Sequence, residues 1–174
     1  SVYVVDGSMQ MIATNMERSG IGQLYQQFEL LKKKLSDEGL FDASLKKPLP
    51  MYPMNIALVT GNNTAAREDA LITLKKRWPI AKLTEYPAPV QGMDAAPKII
   101  TALQAADNGN HQVIMLVRGG GSIEDLWCFN DETLARYISQ MKTPIVTGIG
   151  HEIDFTLVDF VSDYRANTPT GAVE

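Results

Sequence analysis

One short segment of the sequence concentrates residue types that suit phosphate chemistry. "RGGGS" consists of Arg118, the consecutive glycines Gly119, Gly120 and Gly121, and Ser122. Glycines lack a Cβ atom, so the loop can adopt positive φ and bring its N–H groups close to an anion. The arginine adds a planar permanent charge that can hold phosphate oxygens in pairs, and the serine is placed to begin a helix. We interpret this loop as a phosphate site; the alternative is a tight turn with a surface arginine.

A second cluster, "GIGHEIDFTLVDFVSD", is rich in titratable side chains. If a helix begins directly after "GIG", His151 and Asp154 share a face, while Glu152, Asp159 and Asp163 project elsewhere. An imidazole oriented by a carboxylate can act as a general acid or base. The same donors could bind a divalent cation. A third interpretation is helix capping with a solvated acidic face.

A third cluster, "TGNNTAARED", combines small and polar residues with an acid. Asn62 or Asn63 could donate to a phosphate, and Thr64 could cap a helix that carries Asp69. An ordinary loop followed by a helix cap explains the same residues equally well.

Short apolar runs alternate with helical segments through the second half of the chain. The runs are "NIALVTG", "PIAKLTEYP", "QVIMLVRGGG" and "TPIVTGIG". This alternation predicts an α/β fold of βαβ units, with a mostly parallel, Rossmann-like sheet flanked by helices. Ligands in such sheets bind at the carboxyl ends of the strands, which is where the three polar clusters fall.

The first fifty residues follow a different pattern. "SVYVV" and "GSMQMIATNM" predict a hairpin around Asp6-Gly7, and two strands alone need a larger sheet for stability. Leucines and aromatic residues at helical spacing predict an amphipathic helix from Gly22 to Glu38, which Gly39 would end. The proline-rich "KKPLPMYP" indicates a boundary.

Composition narrows the classes of protein. With 174 residues and 45% apolar residues the chain can form a core, and its net charge of -4 does not indicate a nucleic-acid-binding surface. Its one cysteine, Cys128, lies between Trp127 and Phe129, so we expect a packed side chain, not a nucleophile. A reducing compartment is the simpler expectation. No run approaches the ~20 apolar residues of a membrane helix, so we expect no membrane partner.

The motifs resemble those of a known family. "RGGGSIEDLWCFNDE" and "GIGHEIDFTLVDFVSDYRANTPTGAVE" are similar to the patterns RGGGS-x-EDLW-x-FN, GHE-x-D and ADFVAD-x-RA-x-TPSAAAE of exodeoxyribonuclease VII large subunits. "EGLFDASLKKPLP", "YPAPVQGMDAAPKI" and "GSMQMIATNMERSGIGQL" are similar to the same family, so the resemblance covers nearly the whole chain.

The resemblance implies an enzyme that hydrolyses phosphodiester bonds of single-stranded DNA from either end and releases short 5′-phosphorylated oligonucleotides. It implies small-subunit partners, bound mainly through a helical region that follows this segment, a cytoplasmic location and no strictly required cofactor. It also divides the chain into the last strands of an OB-fold (1–16), a connecting helix and linker (17–50) and a catalytic α/β domain (51–174).

Site residues transfer from the family motifs position by position. The catalytic residues so implied are Asp69, Arg118, His151 and Asp154. One departure lies beside the first of these: the family has arginine where this chain has Glu68, and Arg67 stands one place earlier. The resemblance assigns no metal ligand.

Three other functions remain open from the residues. A non-catalytic phosphate- or nucleotide-binding module would use the same loop without hydrolysis. A metal-dependent phosphoesterase would use His151 and Asp154 as ligands for magnesium. A scaffold for the small subunit would not need polar residues at the strand ends.

Overall fold

The amino-terminal residues form a separate two-stranded unit. The computed structural model describes residues 2–5, 8–11 and 19–174. Strands β1 (Val2–Val5) and β2 (Ser8–Met11) pair antiparallel, which confirms the predicted hairpin. Its turn at Asp6-Gly7 and the remainder of the predicted second strand, 12–16, lie outside the described residues. Assignment of these strands to an OB-fold stays a prediction.

The main unit contains a five-stranded parallel sheet. Its strands are β3 (Asn55–Thr60), β4 (Lys82–Pro87), β5 (Val113–Arg118), β6 (Ile145–Ile149) and β7 (Tyr164–Arg165). Their order is β4-β3-β5-β6-β7, and every neighbouring pair is parallel. The predicted α/β class is confirmed. Because β4 and β5 lie on opposite sides of β3, the winding reverses between β3 and β5, and a crevice forms at their carboxyl ends.

Helices cover both faces of this sheet. They are α1 (Ser19–Asp37), α2 (Ala65–Arg77), α3 (Ala95–Asp107), α4 (Ile123–Leu126), α5 (Glu132–Ser139) and α6 (Leu157–Val161), with 3-10 turns at Ala43–Leu45 and Trp127–Asn130. Helix α1 confirms the predicted amphipathic helix, and Gly39 ends it with a φ of 79°. Within the part of the chain that the structure describes, no helix is both long and apolar enough to cross a bilayer.

The core has two layers because buried strands present alternate residues to opposite faces. Ile114 and Leu116 of β5 face the layer formed by α1, α3, α5 and α6. Met115 of the same strand faces α2, whose Ala70 and Leu74 cover the other side. Burial on both faces explains why these strands appear in the sequence as continuous apolar runs.

Cys128 and its neighbours belong to the core, as predicted. Phe129 is fully buried, Cys128 is buried, and Trp127 packs partly buried against the same cluster. Burial raises the pKa of the Cys128 thiol to about 11, so at neutral pH it is a thiol and not a nucleophilic thiolate.

The segment after β6 differs from the prediction. Residues 151–156 form a turn, and α6 begins only at Leu157, so the expected helix starting after Gly150 is wrong. Gly150 has a φ of 70°, which redirects the chain directly after the strand. The Asp154 carboxylate then accepts a hydrogen bond from the backbone N–H of His151 at 2.8 Å, which closes the turn.

Asp159 of α6 and Asp163, which follows that helix, do not form a solvated acidic face. Asp159 is buried and accepts hydrogen bonds from the backbone N–H and the hydroxyl of Thr156, at 2.9 and 2.8 Å, where the helix begins. Burial raises the pKa of Asp159, against the lowering effect of these hydrogen bonds. Asp163 accepts from the backbone N–H of Ile145 at 2.7 Å. Both carboxylates therefore have structural roles, and the capping interpretation is confirmed for Asp159.

Candidate active site

Arg118 is a buried arginine at the carboxyl end of β5. Its side chain is only 8% exposed. Nη1 donates to the carbonyl of Gly119 at 2.9 Å, and Nη2 donates to Oε1 of Gln91 at 3.3 Å. The Asp125 carboxylate lies 3.9 Å from Nη2. These partners fix the guanidinium in place, so the alternative of a surface arginine on a tight turn is wrong.

Two glycines of the loop allow side chains to pack closely against the backbone, and none of the three has a positive φ. None of Gly119, Gly120 and Gly121 has a φ in the left-handed region, contrary to that part of the prediction. A Cβ atom on Gly121 would overlap the guanidinium of Arg118, and one on Gly120 would overlap the imidazole of His151. On Gly119 a Cβ would meet only Ala66, at an ordinary 3.8 Å.

The loop brings the two predicted clusters together. Because Arg118 and His151 lie against adjacent glycines, their side chains flank one backbone segment. Strand pairing explains the convergence: β5 and β6 are parallel neighbours, and the N–H of Gly150 donates to the carbonyl of Arg118 at 3.0 Å. Residues that follow these two strands therefore emerge at the same edge of the sheet.

Two amides of the loop are available to a ligand. Gly120 and Gly121 are exposed, and among residues 19–174 neither N–H donates to a protein acceptor. Ser122 caps α4 as predicted, with its Oγ accepting from the N–H of Asp125 at 3.3 Å. The N–H of Ser122 itself donates to the Asp125 carboxylate at 3.1 Å, so this amide is already occupied. The two free amides and the buried guanidinium make a compact group of donors suited to an anion.

His151 is exposed and paired with Asp154. The side chain of His151 is 69% exposed, and its Nδ1 lies 3.4 Å from Oδ2 of Asp154. The carboxylate faces Nδ1, which leaves Nε2 for proton exchange with a bound ester or water. The same Oδ2 atom accepts the backbone N–H of His151. One carboxylate thus fixes both the turn and the imidazole, although these residues do not share a helix.

Arg165 holds this turn by hydrogen bonds to its backbone carbonyls. It was not identified as a site residue from the sequence. Its Nη2 donates to the carbonyls of Glu152 and Asp154, each at 2.9 Å, and to that of His151 at 3.4 Å. Its guanidinium lies 3.9 Å from the centre of the Phe155 ring, a cation–π contact. Arg165 lies in "YRA", which matches the family pattern ADFVAD-x-RA, and this match could have drawn attention to it. Its spacing from His151 does not predict contact with the turn.

Asp69 does not join this group. It is an exposed residue of the first half of α2, and no hydrogen bond or ion pair within the described residues connects it to Arg118, His151 or Asp154. The start of α2 does reach the loop, through Ala66 against Gly119. Asp69 therefore lies on an element that borders the crevice, without contact to the other predicted residues.

The segment between β3 and α2 behaves mainly as a loop and a cap. Thr64 accepts the N–H of Arg67 at 3.2 Å as the cap of α2, which confirms that prediction. Asn62 and Asn63 are exposed. The Arg67 guanidinium binds Glu85 of β4 through two hydrogen bonds, of 2.5 and 3.0 Å. This arginine is directed to the sheet edge and does not substitute for the one missing from the family position now held by Glu68.

The described residues contain no group of three or more histidine, cysteine or carboxylate side chains arranged to bind a metal ion. His151 and Asp154 provide a pair of donors at most. A divalent cation at this site would need further ligands from water or from phosphate oxygens of a substrate.

The fold and the site together define an α/β protein with a crevice at its topological switch point, where a buried arginine and an exposed imidazole flank a glycine loop. Comparison with known proteins gives the family. Residues 40–174 match the family model of "Exonuclease VII, large subunit". The chain belongs to the exonuclease VII large subunit family.

Individual relatives agree with this assignment. The chain is 50% identical over 175 residues to an exodeoxyribonuclease 7 large subunit of Nitrosomonas eutropha, covering 100% of this chain and 39% of the relative. Identity to the corresponding protein of Legionella pneumophila is 51% over 173 residues, covering 99% and 39%. For Oceanobacillus iheyensis it is 49% over 174 residues, covering 100% and 38%. The chain therefore spans about two fifths of the length of these relatives.

Proposed function

We propose that this chain carries the active site of an exonuclease that hydrolyses phosphodiester bonds in single-stranded DNA. The enzyme works from either end and releases short 5′-phosphorylated oligonucleotides. The observation that carries this proposal is the placement of the Arg118 guanidinium and the His151 imidazole against adjacent glycines of one loop. A single phosphodiester can contact both groups there.

The donors of the loop suit the charge that develops during hydrolysis. The guanidinium of Arg118 and the N–H groups of Gly120 and Gly121 bind the non-bridging oxygens of the scissile phosphate. As water attacks phosphorus, negative charge increases on these oxygens, and donors already held in position stabilise it without reorganisation. Because Arg118 is buried, its interaction with the phosphate is weakly screened by solvent.

His151 supplies the proton transfer. A 5′-phosphorylated product requires that the bond between phosphorus and the 3′ oxygen breaks, so the attacking water loses a proton and the 3′ oxygen gains one. Nε2 of His151 performs one of these transfers, while Asp154 holds Nδ1 and thereby fixes the tautomer. Asp69 assists from the border of the crevice, by positioning a water molecule or by proton transfer.

Family membership also suggests the partners, the location and the domain division of the full-length protein. The relatives are named large subunits, so we propose that the full protein assembles with small subunits in the cytoplasm. Residues 1–16 would belong to an OB-fold, 17–50 to a connecting helix and linker, and 51–174 to the catalytic domain. Regions of the full-length protein outside this chain would make most of the contacts with single-stranded DNA. The net charge of -4 of this chain is consistent with that division.

Replacing His151 by alanine in the full-length protein tests the proposal. We expect kcat to fall by about 10²–10⁴-fold, the usual contribution of a general acid or base. Binding of single-stranded DNA should persist, because the phosphate donors are untouched. The measurements are release of acid-soluble fragments from labelled DNA and fluorescence anisotropy. Cleavage at the wild-type rate would rule out this role for His151.

Cleavage assays with and without a chelator separate this proposal from two of the competing functions. A non-catalytic binding module would bind DNA or phosphate and release no fragments in the wild-type protein. A metal-dependent phosphoesterase would lose activity with a chelator and regain it with magnesium. Our proposal expects cleavage that persists when the chelator is present.

A further inference from the structure

A groove of about 550 Å³ opens beside the proposed phosphate site. Helix α1 forms one wall, through Tyr25 and Lys32, and residues 153–156 form the other. Ile123, which directly follows Ser122, lines its floor, and Asp154 borders it as well. The groove therefore borders the proposed active site at Asp154 and at the residue that follows the glycine loop. Its volume lies within the range of roughly 300–1,000 Å³ that is typical of small-ligand sites.

The walls expose large apolar side chains to solvent. Tyr25 is 57% exposed, Phe155 is 50% exposed and Ile153 is 87% exposed. Apolar side chains gathered at one place on a surface usually mark a binding site. Ile153 and Phe155 belong to the turn at residues 151–156, which carries His151, so their exposure occurs beside the proposed acid–base group.

Charges around the groove select the kind of occupant. Glu29 and Asp154 both line it, so an anion inside the groove would be repelled. Lys32 lines it too, and its Nζ lies 4.9 Å from the centre of the Phe160 ring. The arrangement suits a flat, uncharged group inside the groove, with the negative charge held outside it by Arg118, which does not line the groove. A nucleobase attached to a phosphate backbone has this distribution of charge.

We propose that this groove binds a base of single-stranded DNA next to the scissile phosphate, with Tyr25 and Ile153 as its contact surface. The Phe155 ring already stacks on Phe160 and binds the Arg165 guanidinium, so it contributes only its exposed edge. The inference rests on the proposed function, since it takes the phosphate in the glycine loop as its neighbour. Stacking of a base on an aromatic ring such as that of Tyr25 tolerates any sequence because every base presents a π face. The groove would thus position the backbone for cleavage without selecting a base.

The test compares two oligomers in the full-length protein, in a His151→Ala background that prevents cleavage. One is fluorescently labelled oligo(dT), and the other is an oligomer of equal length in which every nucleoside is abasic. Tyr25→Ala should raise the Kd for oligo(dT) roughly tenfold, the order of one lost stacking contact. The Kd for the abasic oligomer should not change, because that oligomer has no base to lose.

Tyr52→Ala is the matched control. Tyr52 is also exposed, but it stacks on Trp78 and precedes β3, at the opposite end of the sheet from the glycine loop. Its replacement should leave both Kd values unchanged. An unchanged Kd for oligo(dT) in Tyr25→Ala, or an equal rise for both oligomers, would overturn the groove as a base site. A wild-type protein that does not cleave single-stranded DNA would instead contradict the proposed function. The comparison of Kd values would still show whether the groove binds a base.

Discussion

The glycine loop and the turn at residues 151–154 meet at one site but are built in opposite ways. The loop places its charged group inside the protein: Arg118 is 8% exposed and has hydrogen-bond partners on two sides. The turn places its titratable group in solvent: His151 is 69% exposed and contacts one carboxylate. The first is a fixed electrostatic element, and the second is an accessible one.

This difference matches what each proposed chemical role requires. Charge stabilisation works best when donors are already held in place and shielded from water. Proton transfer needs a group that can exchange its proton with solvent or product in every cycle. Rigidity in the turn therefore comes from its backbone, whose carbonyls Arg165 binds, and not from burial of the imidazole.

The largest effects should come from adding one methyl group to the loop. Gly120→Ala places a Cβ where the imidazole of His151 lies, so this exposed ring must move. We expect kcat to fall by about 10²–10⁴-fold, as for loss of the acid–base group, with little change in unfolding free energy. Gly121→Ala instead displaces the buried guanidinium of Arg118 and should also destabilise the fold by about 1–3 kcal/mol. Steady-state kinetics and urea unfolding measure the two effects.

Gly119→Ala is the control for both substitutions. Its Cβ would meet only Ala66 at 3.8 Å, and its φ is not left-handed, so activity and stability should remain near wild type. Equal activity and equal stability of all three alanine variants would contradict the different packing of the three glycines against Arg118, His151 and Ala66.

A smaller effect is expected when the turn is released from Arg165. Arg165→Met removes three hydrogen bonds to the carbonyls of the turn, so His151 loses its fixed position relative to the phosphate. A loss in kcat of about 10-fold or more follows from such misplacement, with KM nearly unchanged. Arg77→Met, at an exposed arginine paired with Glu174, is the matched control. A rise in KM without a fall in kcat would show that Arg165 contacts substrate instead of positioning the turn.

The smallest effect should come from Cys128, close to the loop in sequence but buried in the core. Since burial raises the pKa of its thiol to about 11, the thiolate forms only as the pH approaches that value. Alkylation by iodoacetamide should therefore be slow near pH 8 in the folded protein and fast after denaturation. Cys128→Ala should retain catalytic activity. Rapid alkylation of the native protein, with loss of cleavage, would contradict the packed assignment.

Prediction from the sequence succeeded where local pattern and burial agree. The runs that became β3, β5 and β6 are apolar because both faces of these strands are covered, so they were recognisable as strands. The caps at Thr64 and Ser122 were recognisable because a short hydroxyl side chain before a helix has one common use. The turn at His151 was predicted as a helix because Asp154 lies three residues on, a spacing that serves a helix face and a closed turn equally.

The sequence by itself determined the α/β class, the strand ends that carry the polar residues, and the family. Only the tertiary structure showed that side chains pack where a Cβ of Gly120 or Gly121 would lie, and that Gln91 and Arg165 donate hydrogen bonds or accept them at the site. It also showed that Asp69 is exposed on α2, without a hydrogen bond to Arg118, His151 or Asp154. The physical reason is distance along the chain. Capping and periodicity act between residues a few positions apart, whereas a crevice forms from segments that the sheet brings together, and their contacts leave no regular spacing in the sequence.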